Sequence, residues 1–214
     1  GDSVCMLTQQ YRMHPQICKF VSDAFYDEKL KPAIDDRRHY EKDGLPSGIC
    51  WVDSNTPDQK RGTSYCNPGE IQVVLECLSS MWQNVRESKA TILIISPYMA
   101  QREELNTRIM GETESRLRGV KSLTDSGQIR IVSVDSSQGS EADIVVLSCV
   151  RCNQGKRSGF LKQHGRLCVA TSRAKSLLLV VGSSETLERK TPHIAELRKH
   201  ANLRFSRKES KIVW

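Results

Sequence analysis

Three uninterrupted apolar runs constrain this 214-residue chain more than any other feature: Ile92-Leu93-Ile94-Ile95, Ile144-Val145-Val146-Leu147 and Leu177-Leu178-Leu179-Val180-Val181. A strand with one solvated face alternates apolar and polar residues. A run without polar alternates is buried on both faces. Helically spaced segments separate these runs, so the pattern predicts an α/β fold in which helices cover both faces of a parallel sheet. No run approaches the ~20 apolar residues that cross a bilayer. No charged segment followed by an apolar one opens the chain as a secretory leader would. A membrane-spanning protein, a coiled coil and a low-complexity chain are excluded.

The remaining segments fill in the alternation. Val4 to Leu7 reads as a short strand. Pro15 to Tyr26 reads as a helix, with Ile17, Phe20, Val21, Ala24 and Phe25 at helical offsets and Pro15 in the first turn, where its missing N–H costs nothing. Ile49 to Val52 is a strand candidate, and Asn55 to Ser64, with Pro57 and Gly62, a loop. Asn67-Pro68-Gly69-Glu70 starts a helix running toward Trp82: Asn67 caps it, Pro68 takes the first position, and Glu70 is spaced to reach back to the cap's amide.

Thr91 to Ser96 is a strand, Ala100 to Met110 a helix, and Gly111 to Gly127 a polar, variable stretch. Ile129 to Val134 and Asp143 to Val150 are strands, and Cys152 to Gly159 is a basic loop. Gly165 to Ala174 is a helix, Ser176 to Val181 the last strand, and Thr191 to Leu203 a final amphipathic helix. The domain reading is one lobe over residues 1–186, then a basic helix and tail over 187–214.

The formal charge is +7, and five of those charges fall between Leu187 and Trp214. A basic balance allows a polyanionic partner without proving one. The basic end, including Arg204, Arg207, Lys208 and Lys211, reads as a solvated or disordered tail or, alternatively, as a nucleic-acid contact. Eight cysteines are scattered, and only Cys149 and Cys152 form a Cys-x-x-Cys pair, without the second pair that a zinc site needs. Free thiols fit a reducing cytoplasmic or nuclear setting.

In parallel sheets ligands bind beyond the carboxyl ends of strands, here after Ser96, Val134 and Val150. Asp135-Ser136-Ser137-Gln138-Gly139-Ser140-Glu141-Ala142-Asp143 is either a surface where backbone amides approach a phosphate or sugar, or an ordinary polar connection. Ser96-Pro97-Tyr98 either ends a strand or offers amides at a helix start to a phosphate oxygen. Arg166 and Arg173, seven apart, fall near one helical face. Arg173 and Arg12 each read as an ion-pair member or a phosphate ligand, and His14 as a turn or capping residue. No nucleophile–base set and no metal-ligand cluster can be assembled.

Taken together and in order, these segments resemble the second RecA-like lobe of a superfamily 1 helicase of the up-frameshift type, the group of the nonsense-mediated-decay helicase and senataxin. Gln10-Tyr11-Arg12-Met13-His14-Pro15 resembles its QYRMHP signature, and Phe25-Tyr26 its FY. Ser64 through Glu70 resembles SYxNxxE, and Ile94-Ile95-Ser96-Pro97-Tyr98 resembles IITPY. Val134 through Asp143 resembles VDAFQGREKD, Gly159-Phe160-Leu161 resembles GFL, and Arg166 through Lys175 resembles RLNVALTRAK. The match covers nearly all of Val4 to Gly182.

The resemblance implies a RecA-like parallel sheet and a role for each matched residue. Arg12 and Arg173 take the positions of catalytic arginines that reach the γ-phosphate of ATP across an interlobe cleft. Tyr11, Gln138, Gly139, Glu141 and Lys175 fall at nucleotide-binding positions. Ser96, Pro97, Tyr98, Asp135 and Ser136 fall where single-stranded RNA or DNA is contacted. Implied too are ATP with Mg2+, a first RecA-like lobe as partner, and 5′-to-3′ movement. Ser137 and Ser140 replace a usual aromatic and Arg, and Cys168 and Ser172 a usual Asn and Thr. No Gly-x-x-x-x-Gly-Lys-Ser/Thr segment and no strand-terminal Asp-Glu pair is present. The phosphate loop and magnesium ligands are therefore expected in the first lobe, and the chain alone is expected to turn over little ATP. The alternative is a degenerate lobe retained as a non-catalytic nucleic-acid-binding or assembly module.

Overall fold

A computed structural model describes residues 6–36, 40–42, 44–111, 117–155 and 157–206. The centre is a six-stranded sheet built from β3 (Gly48–Asp53), β6 (Ile92–Ile95), β7 (Ile129–Val132), β8 (Ala142–Ser148), β9 (Ala174–Gly182) and β10 (Leu203–Ser206). The order is β10-β3-β9-β8-β6-β7, and every neighbouring pair is parallel. The apolar runs occupy β6, β8 and β9, and their alternate residues divide between two cores. Ile92, Ile94, Ile144, Val146, Leu177 and Leu179 face one layer. Leu93, Ile95, Val145, Leu147, Leu178 and Val180 face the other. The period-two pleat thus makes both faces apolar, as a doubly covered sheet requires.

The first layer is α2 (Pro68–Glu87), α3 (Met99–Met110) and α4 (Arg118–Asp125). It places Ile71, Val74, Leu75 and Leu78 of α2, with Val120 and Leu123 of α4, against the sheet. The second layer is α1 (Pro15–Phe25), α5 (His164–Thr171) and α7 (Pro192–His200). There Ile17, Phe20 and Val21 meet Ile49 and Trp51 of β3. A short helix, α6 (Ser184–Leu187), follows β9. Among the described residues no helix is long and apolar enough to cross a membrane.

Several segments differ from the expectation. Val4 and Cys5 lie outside the described residues, and the first strand observed is β1 (Gln9–Gln10), parallel to β2 (Lys31–Pro32). The Asn55–Ser64 loop contains β4 (Gln59–Arg61), which pairs antiparallel with β5 (Ser64–Cys66). Part of the polar stretch after Gly111 is α4, because Leu117, Val120 and Leu123 recur every third residue on a buried face. β9 is not the last strand. Leu203 and Phe205 alternate onto the first core, so β10 joins the sheet beside β3. The segment read as a C-terminal helix and tail therefore supplies α7 and, through Ser206, an edge strand, while Arg207, Lys208 and Lys211 lie outside the described residues. The helix expected over Gly165–Ala174 stops at Thr171, so Arg173 sits past its end and shares no helical face with Arg166.

Candidate functional site

The turn between β1 and α1 is fixed by one side chain. Gln10 Oε1 accepts from the backbone N–H groups of Arg12 (2.9 Å) and Met13 (2.6 Å), and its amide nitrogen donates to the Met13 carbonyl (3.0 Å). Met13 is buried in the second core. His14 caps α1 by accepting from Gln16 N at its Nδ1 (3.1 Å), and its own N–H donates to the Lys175 carbonyl (2.7 Å). Each of these residues is used in holding the turn, which leaves Tyr11 and Arg12 facing outward. Tyr11 is 71% exposed. Sequence reasoning gave Gln10 no role, although an amide that binds the backbone two and three residues ahead is a familiar turn device.

Arg12 Nε donates to Glu141 Oε2 (2.9 Å) and its Nη1 to the Ser172 carbonyl (3.2 Å). Lys175 Nζ lies 2.6 Å from the other Glu141 oxygen. Hydrogen bonds from Lys175 and then Arg12 hold the Glu141 carboxyl below its ordinary pKa. Arg173 donates from Nε to the Val169 carbonyl (3.0 Å), from Nη1 to the Ser140 carbonyl (3.2 Å) and from Nη2 to Ser172 Oγ (2.9 Å). Burial lowers the Arg173 pKa, and the nearby charge of Arg12 lowers it further. The structure therefore brings Arg12, Glu141, Arg173 and Lys175 together. With Tyr11, Arg12, Glu141 and Lys175 line an open cleft of about 720 Å³.

This cluster sits at the amino ends of β8 and β9, not at the carboxyl ends where the strand-end rule directs attention. The connection from β7 crosses the second face to Glu141, just before β8, and α5 returns to Ser172 just before β9. Gly139 lies in that connection at φ +81°, a left-handed conformation that glycine adopts without a Cβ penalty. Gln138 does not join the cleft. It lines a separate hollow of about 380 Å³ beside Asp135 and Arg166. Two further cleft residues escaped sequence reasoning: Tyr40, and Lys42, whose Nζ lies 3.4 Å from Asp143. They come from an irregular segment with no periodic signal.

The carboxyl ends look different. Ser96 and Tyr98 are buried, so their side chains are enclosed within the lobe. The Tyr98 ring packs edge-on against Tyr65 and Phe160, and its hydroxyl accepts from Phe160 N (3.4 Å). Gly159, at φ +60°, makes room for that hydroxyl, since a Cβ there would collide with it. Pro97 is half-buried, and Asp135 and Ser136 are exposed. Asp135 holds Arg166 through two hydrogen bonds (3.1 and 3.0 Å). Ser136 Oγ accepts from Ser133 Oγ (2.8 Å).

Glu70 does not close a capping box either. Asn67 Oδ1 accepts from Glu70 N (3.0 Å) as expected, but Asn67 N donates to Gln101 instead. The Glu70 carboxylate accepts from Ser148 Oγ (2.6 Å) and from Val150 N (2.9 Å to each oxygen). Complete burial pushes its pKa up to about 8, against these hydrogen bonds that pull it down. Val150 is held at φ +71°, a costly conformation for a β-branched residue. The next residue, Arg151, lies over the Tyr65 ring (3.8 Å) and pairs with Asp58 (3.1 Å). Among the described residues no cluster of three or more His, Cys, Asp or Glu is placed to hold a metal.

The family profile described as "AAA domain" matches residues 1–185. The chain is also 35% identical, over 88% of its length, to "DNA polymerase alpha-associated DNA helicase A" of Saccharomyces cerevisiae. It belongs to the superfamily 1 helicases of up-frameshift type, as their C-terminal lobe. This lobe is 33% identical over 96% of its length to "Putative helicase MOV-10" of Gallus gallus. It is 31% identical over 86% to "Regulator of nonsense transcripts 1" of Dictyostelium discoideum. It spans 29%, 23% and 14% of these three relatives, respectively. A solved C-terminal domain of a possible DNA helicase from Lactobacillus plantarum aligns with 92% of the lobe at 18% identity and a TM-score of 0.49.

Proposed function

We propose that the lobe is the second motor lobe of an ATP-dependent helicase that moves 5′-to-3′ on single-stranded RNA or DNA. In this reading it presents Arg12 and Arg173 to a triphosphate held, with Mg2+, by a first RecA-like lobe. The observation that carries the reading is the convergence of the two guanidinium groups on Ser172, although 160 residues separate Arg12 from Ser172. Arg12 and Lys175 hold a single exposed carboxylate at an open cleft, with Arg173 beside them on Ser172, and that surplus of positive charge suits a polyanionic group. Bound ATP supplies the phosphoanhydride whose cleavage drives the cycle.

The lobe's residues divide that work. Arg12 and Arg173 stabilise charge developing on the phosphoryl oxygens. Tyr11 offers an exposed ring to the nucleotide. Glu141, which holds Arg12 and Lys175 here, accepts from ribose hydroxyls. Half-buried Pro97 and exposed Asp135 and Ser136, with the backbone around buried Ser96 and Tyr98, contact the strand without reading its sequence. Differential contacts in the open and closed arrangements convert hydrolysis into movement.

The test is Arg173→Ala in the parent helicase carrying both lobes. Turnover is expected to fall by about 10³- to 10⁵-fold while ATP binding persists. Turnover at the wild-type rate, or a biological role unaffected by the substitution, would indicate an assembly module instead.

A further inference from the structure

We propose that Ser172 is a positioning residue that sets the aim of Arg173 and fixes its separation from Arg12. The proposal rests on the reading of the two arginines given above. Ser172 is the first residue past α5, where a helix leaves its last carbonyl groups without intrahelical donors. Its two oxygen atoms serve two different cations. The carbonyl accepts from Arg12 Nη1 (3.2 Å), and the hydroxyl accepts from Arg173 Nη2 (2.9 Å). The hydroxyl's own hydrogen is directed to the Val169 carbonyl (3.3 Å), which leaves a lone pair for the guanidinium.

The arrangement answers an electrostatic difficulty. Two like charges are close enough for Arg12 to lower the pKa of Arg173. Left alone they repel and swing apart. Oxygen dipoles from one residue interposed between them offset the repulsion, and the partial negative charge at the end of α5 adds to the effect. All three nitrogens of Arg173 are engaged, by Val169, Ser140 and Ser172. Of those acceptors only the Ser172 hydroxyl belongs to a side chain, so it is the one that substitution can remove. Removing it frees Arg173 Nη2 while leaving the Ser172 carbonyl on Arg12 in place.

The experiment compares Ser172→Ala, Ser172→Thr and Arg173→Ala in the parent helicase, and follows the Arg173 Nε–H resonance in ¹⁵N spectra of the 214-residue chain. That signal is assigned by its loss in Arg173→Ala. Ser172→Ala is expected to lower kcat by about 10- to 100-fold, the scale of one hydrogen bond to a charged group, with KM for ATP within about threefold. It should also speed solvent exchange of the Arg173 Nε–H. Ser172→Thr, which keeps the hydroxyl, is expected to restore both readouts.

If Arg173→Ala is inert while Ser172→Ala turns over and exchanges as the wild type does, the positioning role is overturned and the arginine reading stands. If Ser172→Thr fails as Ser172→Ala does, the role of the hydroxyl is overturned. If Arg173→Ala keeps full turnover, the arginine reading is overturned and the Ser172 proposal with it.

Discussion

Two glutamates mark the two ends of β8, and their settings are opposite. Glu141 precedes the strand, is exposed, binds two cations and is held below its usual pKa. Glu70 meets the far end, is fully buried, accepts from a hydroxyl and a backbone amide, and is pushed up to about 8. One carboxylate is kept charged where ligands can reach it. The other is enclosed where it braces a strained turn. A central strand of a parallel sheet can therefore have a chemically open end and a mechanically closed one, and residue type alone does not say which is which.

The contrast can be broken in order of expected effect. The largest change belongs to the open end, where Arg173→Ala removes turnover by the several orders of magnitude given above and leaves the fold intact. At the closed end Glu70→Ala strands Val150 N and Ser148 Oγ without their acceptor. It is expected to cost about 3 kcal/mol in urea unfolding, the scale of leaving buried polar groups unpaired. An unchanged unfolding midpoint would show that the closed end does not brace the fold.

pH sharpens the comparison, because the two groups have opposite signs. A carboxyl whose folded pKa is raised contributes stability that is fully present below its unfolded pKa and is lost as pH rises through the folded value. Wild-type stability relative to Glu70→Gln is thus expected to fall between about pH 5 and pH 8. Glu141, depressed rather than raised, contributes above its unfolded pKa and loses that contribution as acid protonates it. Melting curves of the Glu70→Gln variant between about pH 5 and pH 8, and of Glu141→Gln below about pH 5, read the two slopes. The smallest effect is Glu141→Gln on stability at neutral pH, expected within about 1 kcal/mol because exposed ion pairs are screened, even where the same substitution disturbs nucleotide binding.

Legibility followed the range of the interactions. The runs in β6, β8 and β9 announced a doubly covered parallel sheet because burial on both faces is written in consecutive residues. Asn67-Pro68 announced α2 because a cap acts within three residues. Glu70 was misread for the same reason: its nearest local use was the cap, whereas its actual partners lie 78 and 80 residues away. Motif order picked out Arg12, Glu141, Arg173 and Lys175, but not the end of the strands at which they meet, which depends on how α5 and the connection before β8 return. The burial of Tyr98 was not legible, since the rings of Tyr65 and Phe160 that close over it come from distant segments. Leu203 and Phe205 do alternate, but four residues are too few to announce β10.

The strand order has a consequence for how this chain is made. In the sheet β3 touches only β9 and β10, and Gly48 is registered against Leu177. A polypeptide emerging from its N-terminus therefore carries Ile49, Cys50, Trp51 and Val52 without a companion strand until about 130 more residues have been synthesised. Over that interval α1, already made, can cover Ile49 and Trp51, while the strand's backbone edges wait for β9 and β10. The sheet therefore closes around β3 only late in synthesis.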